Sequence, residues 1–405
     1  MNKILSGLRV VEGSAFVAAP LAGMTLAQQG ADVIRFDPLG GGLDYTRWPV
    51  ANNGRSLYWA GLNKGKRSIA IDIRKPEGRE LVAALITAPG PDAGIFLTNF
   101  PATGWLAYDA LKARRADLIM LNILGNRDGS SEVDYTVNPS TGLPYMTGTG
   151  GRATPVNHVL PAWDLIAGSH AVIALLAAER HRRRTGEGQL IRLALSDVAF
   201  AAMGHLGFIA EAEVNGDRRA AYGNDLFGAF GADFTTADGE RIMVVAITNR
   251  MWDSLVAATA IGAAAAALET ARGVDLAREG DRFKVRDELR GLIAPWCAAR
   301  SLAAIKAALD GAGVLWSRYQ SLDQALAEDP RWSTANPMFH VIEQPGIGRF
   351  RVPGSPLDFG AAEREPPRRA PLLGEHTDEV LSGVLGLPGT AIAKLHDQRV
   401  VAGPT

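Results

Sequence analysis

Cysteine is almost missing from this sequence: a single thiol, Cys297, occurs in 405 residues. One cysteine excludes an intramolecular disulfide and any metal cluster built on cysteine ligands. The residues before it, 292–296, are apolar or proline, and no histidine-bearing motif surrounds it. We therefore expect Cys297 to be a packed core residue rather than a nucleophile.

An excess of charge of one sign is also missing. The chain has 42 Lys and Arg against 43 Asp and Glu, so its net charge is −1. This balance argues against a dedicated nucleic-acid-binding protein, which carries a basic excess. Hydrophobic residues make up 47% and charged residues 21%, which is typical of a globular enzyme, and the length suffices for two domains.

Long apolar runs are scarce as well. Residues 1–7 lack the apolar stretch of a signal peptide. No window of 18 apolar residues free of charge occurs, and the alanine-rich run 257–267 is too short to cross a bilayer. We therefore predict a cytoplasmic protein with neither a membrane nor a nucleic acid as its partner.

Common nucleotide and hydrolase motifs are absent. The sequence contains no Gly-x-Gly-x-x-Gly, Walker, His-Glu-x-x-His or Gly-x-Ser-x-Gly motif, and the three glycines at 40–42 lack the spacing of a phosphate loop. This argues against a nicotinamide-dependent dehydrogenase, which is the rival enzyme class for such a chain. No metal site is predicted.

Short β-branched runs alternate with helix-length segments over the first half of the chain. This alternation predicts βαβ units and a parallel, doubly wound sheet, whose ligands lie at the carboxyl ends of strands. Asn99, Phe100 and residues 122–126 follow two such strands. The predicted strands are 8–12, 31–36, 67–72, 93–98, 116–121 and 189–195, and the predicted helices are 18–30, 76–86 and 164–184.

The rest of the chain predicts a second, smaller α/β domain. The composition shifts to Gly, Asn, Asp and Phe over 215–240, which indicates a linker, and 341–370 is rich in Pro and Gly, which indicates an extended return. We therefore divide the chain into a large domain at 1–215, a small domain at 216–335, and a return to the large domain at 336–405.

Asp164 stands between the apolar segments 159–163 and 165–167. An acid in this position caps a helix or lies in its first turn. A partly desolvated carboxylate is also what covalent acyl chemistry needs, because a poorly hydrated anion is the better nucleophile. The local sequence leaves both readings open.

Several stretches together resemble one family. They occur in the family's order, and the resemblance extends from about residue 7 to residue 400, so it is specific. The family is the class III CoA-transferases, which includes formyl-CoA transferase and α-methylacyl-CoA racemase. The stretches are 30–35, Asp44 with Arg47, 63–72, Asn99-Phe100, 185–189 and 370–381.

The resemblance implies a Rossmann-like large domain made from both chain ends, a small middle domain and an interlocked homodimer. It also implies that Asp164 forms mixed anhydride and aspartyl-CoA thioester intermediates, and that backbone N–H groups of Phe16, Val17 and Ala18 face the thioester oxygen. Coenzyme A is then part of an acyl-CoA substrate, and no cofactor is expected.

Further site residues follow from the same resemblance. They fall into two groups, one for CoA and one for the acyl group. The residues expected at CoA are Arg35, Lys66, Arg67, Asn99, Phe100, Gly125 and Arg127, and the candidates for the substrate pocket are His158, Tyr222 and Asn224.

Departures from the family pattern narrow the activity. Residues 124–126 are Leu-Gly-Asn where formyl-CoA transferase has Lys-Gly-Tyr, and residues 132–134 are Glu-Val-Asp where the racemase has Gly-His-Asp. Segments 11–20, 98–102, 157–164 and 222–231 instead resemble the family members that move CoA from C1 to C4 of mesaconate within one molecule. The alternatives are an intermolecular transferase between an acyl-CoA and a dicarboxylic acid, and a non-catalytic CoA-binding protein.

Overall fold

The structure is a computed structural model, which describes residues 3–149 and 154–404. The described residues divide into two compact units. One contains Met1–Thr141, Val159–Gly216 and Pro330–Thr405, and the other contains Gly142–His158 and Asp217–Asp329. The expected boundaries placed 142–158 in the large domain, whereas here it groups with the second unit, and the second unit ends at Asp329 rather than at residue 335.

The strands within the described residues are labelled in chain order. The first six and the last belong to the first unit's large sheet. They are β1 (Arg9–Gly13), β2 (Asp32–Asp37), β3 (Arg67–Ile71), β4 (Ile95–Thr98), β5 (Ile119–Leu124), β6 (Leu190–Ala194), β7 (Phe230–Thr235), β8 (Arg241–Ala246), β9 (Leu315–Arg318), β10 (Phe339–Gln344), β11 (Gly348–Pro353) and β12 (Val401–Ala402).

The α-helices are labelled in the same way. They are α1 (Ala18–Gln28), α2 (Leu57–Leu62), α3 (Pro76–Thr87), α4 (Tyr108–Lys112), α5 (Asp134–Ser140), α6 (Ala162–Thr185), α7 (Leu195–His205), α8 (Phe208–Ala210), α9 (Asn249–Thr259), α10 (Gly262–Arg272), α11 (Glu279–Lys284), α12 (Arg286–Ala298), α13 (Leu302–Ala312), α14 (Leu322–Glu328), α15 (Thr377–Gly383) and α16 (Gly389–Asp397).

The first unit is built on a seven-stranded sheet of order β12-β3-β2-β1-β4-β5-β6. All neighbouring pairs are parallel except β12 with β3. The predicted α/β class with a Rossmann-like parallel sheet is therefore confirmed. The strand order reverses between β1 and β4, and in doubly wound sheets a ligand binds in the crevice at this reversal. The loops after β1 and β4 are consequently the place for a site.

Apolar strands and helices bury this sheet on both faces. Ile34, Phe36, Ile69 and Phe96 are at most 1% exposed, as expected of parallel strands that are covered on both sides. Helix α1 is apolar around its circumference and buries nine of its eleven residues, so it is a core helix rather than a surface one.

The second unit has its own sheet and core. Strands β7, β8 and β9 form an antiparallel sheet in that order, and apolar residues of helices α9, α10, α12 and α13 pack on it. The linker predicted at 215–240 is thus partly wrong, because β7 lies inside it. The extended return predicted at 341–370 is also partly wrong, because β10 and β11 form an antiparallel hairpin there, in the first unit.

Helices α12 and α6 contain the segments that bear on the predicted core thiol and on membrane insertion. Cys297 is 1% exposed within α12, and burial raises the pKa of its thiol to about 11, so it is confirmed as a packed core residue. Helix α6 has the length and apolar composition of a membrane span, a criterion that the core helices of soluble proteins also meet. It packs against α1 and α7. The absence of a membrane partner stays a prediction.

Candidate active site

The loop between β1 and α1 is held in an uncommon backbone conformation. Phe16 has φ of 67°, in the left-handed region, where a non-glycine residue costs about 1–3 kcal/mol. Two side chains from elsewhere hold it there. Asn99 accepts the Ala15 N–H at 2.9 Å and donates to the Ala15 carbonyl at 2.7 Å, and Asp44 accepts the Phe16 N–H at 2.9 Å. The loop therefore presents the amino end of α1, beginning at Ala18, in a fixed direction.

A buried ion network lies beneath this loop. The guanidinium of Arg35, 1% exposed, donates to both oxygens of Asp37 at 2.9 and 3.0 Å, to Asp44 at 3.1 Å and to the Ser14 carbonyl at 3.0 Å. Burial alone would lower the pKa of Arg35, but the surrounding carboxylates raise it above its usual value. Arg35 is therefore a permanent cation that ties β2 to the Phe16 loop.

Lys66, which directly precedes β3, is the second buried cation of this network. Its ammonium is 0% exposed and donates to Glu12 at 2.8 Å, to the Pro20 carbonyl at 2.9 Å and to Asn63 at 2.9 Å, so all three donors are used. Burial lowers its pKa to about 8, although Glu12 acts in the opposite direction. The direct CoA contacts expected of Lys66 and Arg35 do not fit this geometry, because both cations are enclosed and satisfied by protein groups.

Asp164 lies in the first turn of α6, and a second carboxylate caps the same turn. Asp134 is 1% exposed, and its Oδ2 accepts the N–H of Trp163 at 2.8 Å and that of Asp164 at 3.2 Å. One turn later, a Cβ on Gly168 would lie 2.9 Å from the Ala18 carbonyl oxygen. The glycine therefore permits α6 and α1 to approach closely, and the Ala18 N–H donates to the Asp164 carboxylate.

The environment of Asp164 disfavours its charge. Burial, followed by the neighbouring Asp134 carboxylate, raises the pKa of Asp164 to about 7, and the Ala18 N–H and Arg47 act against them. Such a shift by desolvation and a like charge is typical of residues that do chemistry, although structural carboxylates show it too. Asp134 thus caps the first turn of α6, and the role of Asp164 as a nucleophile stays a prediction.

Arg47 and Tyr58 lie beside this carboxylate. The central carbon of the Arg47 guanidinium lies over the rings of Phe16 and Tyr58, 5.1 and 5.2 Å from their centres. The Tyr58 hydroxyl is buried and has no hydrogen-bond partner among the described residues. In the sequence, Arg47 was recognised only as part of a family motif and Asp134 had no predicted role. Tyr58 was not predicted as a site residue. No local signal marks Tyr58, because α2 alone does not reveal what its side chains meet.

The other residues expected at CoA contact different parts of the protein. Arg67 reaches the amino end of β2, where Asp32 accepts from it at 2.8 Å. Gly125 follows β5, and a Cβ there would lie 2.3 Å from the Glu132 nitrogen, so close packing alone accounts for this glycine. Of the whole expected set, the structure brings Asn99 and the Phe16 loop together with Asp164. Two more have protein partners: Arg127 is exposed and paired with Asp197, and the Phe100 ring packs edge-on against Phe36.

The three pocket candidates belong to the second unit. His158 is half-buried and lies at the end of the segment 142–158. The Tyr222 ring packs against Phe283 at 5.2 Å, and Asn224 is exposed in the following turn. Their contact with a substrate stays a prediction.

Similarity to known proteins identifies the family. Residues 5–377 match the family model described as CoA-transferase family III. The chain belongs to CoA-transferase family III. As a family III CoA-transferase, it is an enzyme, and the predicted family is confirmed.

Relatives of this family III CoA-transferase span its full length. The 2-methylfumaryl-CoA isomerase of Chloroflexus aurantiacus is 59% identical over 405 residues, covering 100% of this chain and 99% of the relative. The succinyl-CoA–D-citramalate CoA-transferase of the same organism is 28% identical over 411 residues, covering 98% of each chain. A crystal structure of a CAIB/BAIF family protein from Brucella suis matches with a TM-score of 0.76 at 26% identity, covering 95% of this chain and 100% of the other.

Proposed function

We propose that this enzyme moves CoA from the C1 to the C4 carboxyl group of mesaconate within one molecule, which converts 2-methylfumaryl-CoA into 3-methylfumaryl-CoA. The observation that carries the proposal is the 59% identity, along the whole chain, with a 2-methylfumaryl-CoA isomerase. The relative that transfers CoA between succinyl-CoA and D-citramalate is 28% identical. The similarity therefore favours the intramolecular reaction over the intermolecular one.

In the proposed mechanism, an Asp164 oxygen attacks the C1 thioester carbonyl, the C–S bond breaks and CoA leaves as a thiolate, giving a mixed anhydride. The thiolate then attacks the aspartyl carbonyl, which releases mesaconate and forms an aspartyl-CoA thioester. The C4 carboxylate attacks this thioester and expels the thiolate again. The thiolate finally attacks the C4 carbonyl, which regenerates the Asp164 carboxylate. No proton or electron is gained or lost, so we propose that no cofactor or metal is needed.

The site's electrostatics support Asp164 as the nucleophile. With a pKa of about 7, the carboxylate is available at neutral pH yet is poorly solvated, which favours nucleophilic attack. Negative charge that develops on a carbonyl oxygen needs donors that are already oriented. The Val17 and Ala18 N–H groups at the start of α1 are such donors, and the positive end of the helix dipole adds to them.

We extend the proposal to a cytoplasmic homodimer. In the first unit, α6, α7 and α8 pack against one another in succession, and these elements and their flanking segments leave several large apolar side chains exposed. Exposed apolar surface of this kind marks a protein interface. Light scattering at two protein concentrations tests it, and a monomer at both would contradict it. The exposed residues are Val159, Ile173, Phe200, Leu206, Ile209 and Val214.

The test is to incubate mesaconyl-C1-CoA and enzyme with isotopically labelled free mesaconate and then to separate the thioester isomers. Unlabelled C4 ester is the expected product. Labelled C4 ester would indicate an intermolecular transferase instead, and no C4 ester at all would show that the substrate is wrong. In parallel, Asp164→Ala should lose turnover by several orders of magnitude while it stays folded, and retained activity would contradict the covalent scheme.

A further inference from the structure

We propose that Arg47 binds the free carboxylate of the diacyl group, with the Tyr58 hydroxyl as a second donor. This inference rests on the proposed function, because it names the residues that recognise the carboxylate not bonded to CoA. A mesaconyl thioester carries one such carboxylate, which must be bound in a defined place while the other end reacts at Asp164. Arginine suits the task, since its planar guanidinium donates to both oxygens of a carboxylate.

The Arg47 guanidinium is oriented but unused. Its central carbon lies over the rings of Phe16 and Tyr58, and a cation held by ring faces keeps its N–H groups free to donate to a ligand. Arg47 is exposed, and within residues 3–149 and 154–404 no hydrogen bond or ion pair of its guanidinium is found. In contrast, the nearby Arg35 is enclosed and bound to Asp37 and Asp44. Arg47 is thus a cation beside the site that forms no ion pair with a carboxylate of the described residues, and Asp164 is the acid on which its charge acts.

Tyr58 supplies the second polar group. Its hydroxyl is buried without a partner among the described residues, which is unfavourable unless a ligand satisfies it. Burial, followed by the charge of Asp44, raises the pKa of this hydroxyl, so it stays protonated and able to donate. An unsatisfied donor beside an unpaired guanidinium is the pair of groups that a carboxylate requires.

The fold places this pair next to the reacting centre. Phe16, whose ring lies under Arg47, is two residues before Ala18, whose N–H donates to the Asp164 carboxylate. Asp44 accepts the Phe16 N–H at 2.9 Å and lies in the short turn Leu43–Thr46 that leads into Arg47. One buried carboxylate therefore fixes both the loop that faces the thioester and the residue that we assign to the far end of the acyl group.

The same pair serves substrate and product. The two carboxyl carbons of mesaconate lie on opposite sides of a trans double bond, so their separation is the same whichever of them carries CoA. With C1 at Asp164, the C4 carboxylate lies at Arg47, and after the diacid turns round the positions are exchanged. A monoacyl group of the same shape has a methyl in place of this carboxylate, so it leaves Arg47 unpaired.

Binding of two thioesters tests the inference without turnover. In the Asp164→Asn background, calorimetry gives the dissociation constants of mesaconyl-C1-CoA and of (E)-2-methyl-2-butenoyl-CoA, which has a methyl where mesaconyl has its carboxylate. Charge-assisted hydrogen bonds predict about 10- to 100-fold tighter binding of the diacid ester. Adding Arg47→Gln should bring the two dissociation constants close together, because only the diacid ester then binds more weakly. Adding Tyr58→Phe should reduce the ratio partly, and the control Arg79→Gln, at an exposed position of α3, should leave it unchanged.

Two results would overturn the inference: equal weakening of both esters by Arg47→Gln, which indicates a CoA contact or a structural role, or an unchanged ratio. If Arg47→Gln misfolds, Arg47→Lys, which keeps the charge but loses the planar fork, should show an intermediate ratio, and an unchanged one would count against the assignment. The two proposals fail separately. A wild type that isomerises mesaconyl-C1-CoA with a ratio insensitive to Arg47 refutes only this inference, whereas no isomerisation with a sensitive ratio refutes only the proposed function.

Discussion

Replacing Asp164 with asparagine should stabilise the protein while it abolishes activity. The pKa of this carboxyl rises from 3.8 to about 7 on folding, first through burial and then through Asp134. Each unit of pKa shift corresponds to about 1.4 kcal/mol, so ionised Asp164 costs the folded state about 4 kcal/mol. Asparagine has nearly the same shape, and its oxygen can still accept the Ala18 N–H, but it carries no charge.

The sign of the pH dependence follows from the direction of the shift. Below about pH 4, Asp164 is protonated in both the folded and the unfolded chain, and it costs nothing. Between about pH 4 and pH 7, the unfolded chain has released the proton and the folded chain holds it, so wild-type stability falls by about 1.4 kcal/mol per pH unit. Above about pH 7, the whole cost of about 4 kcal/mol is present and no longer changes.

The free energy of unfolding of Asp164→Asn relative to the wild type should therefore increase from near zero at pH 4 to about 4 kcal/mol at pH 8. Urea unfolding of both proteins at several pH values measures it, at one fixed protein concentration because subunit association also contributes. Asp109→Asn, an exposed acid on α4, is the control and should change stability by less than about 0.5 kcal/mol. A variant no more stable than the wild type at pH 8, or a difference independent of pH, would refute the reasoning.

Three further predictions concern residues around this carboxylate. Asp134→Asn keeps an oxygen that caps α6 but removes the charge, so the acidic limb of the kcat/KM profile should move to lower pH as the pKa of Asp164 falls; an unmoved limb would contradict the assigned coupling. Gly168→Ala should force α6 and α1 apart, with a loss of about 1–3 kcal/mol in urea unfolding and about 100-fold in kcat, whereas wild-type kinetics would argue against the close approach. Lys66→Ala removes the nearer of the two cations on the buried Glu12 and leaves Arg35 at 3.6 Å, so it should cost about 3–5 kcal/mol in thermal or urea unfolding, and a stable variant that selectively loses CoA affinity would instead restore the expected CoA contact.

Much of the fold could be predicted because each parallel strand is a short run rich in β-branched and apolar residues, which neighbouring positions alone reveal. The runs 31–36 and 67–72 differ from β2 and β3 by only a residue or so at their ends, since each contains several buried apolar residues close together, such as Ile34 in β2 and Ile69 in β3. The hairpin β10–β11 was missed because its residues alternate between buried and exposed among prolines and glycines, which weakens the apolar pattern. Composition likewise does not show which unit a connecting segment packs on, so the grouping of the described part of 142–158 with the second unit could not be predicted from the sequence.

The chain order by itself determined that Asp164 begins a helix between apolar neighbours, and that Cys297 lies in a core, because such features depend on residues a few positions away. Only the tertiary structure decided which cations are buried against protein groups and which are available to bind a ligand. Lys66 meets Glu12, 54 positions earlier, and is neutralised, whereas Arg47 lies over two rings and forms no ion pair with an acid among the described residues. The sequence determines which side chains are charged, but their solvation and their partners depend on how distant segments pack together.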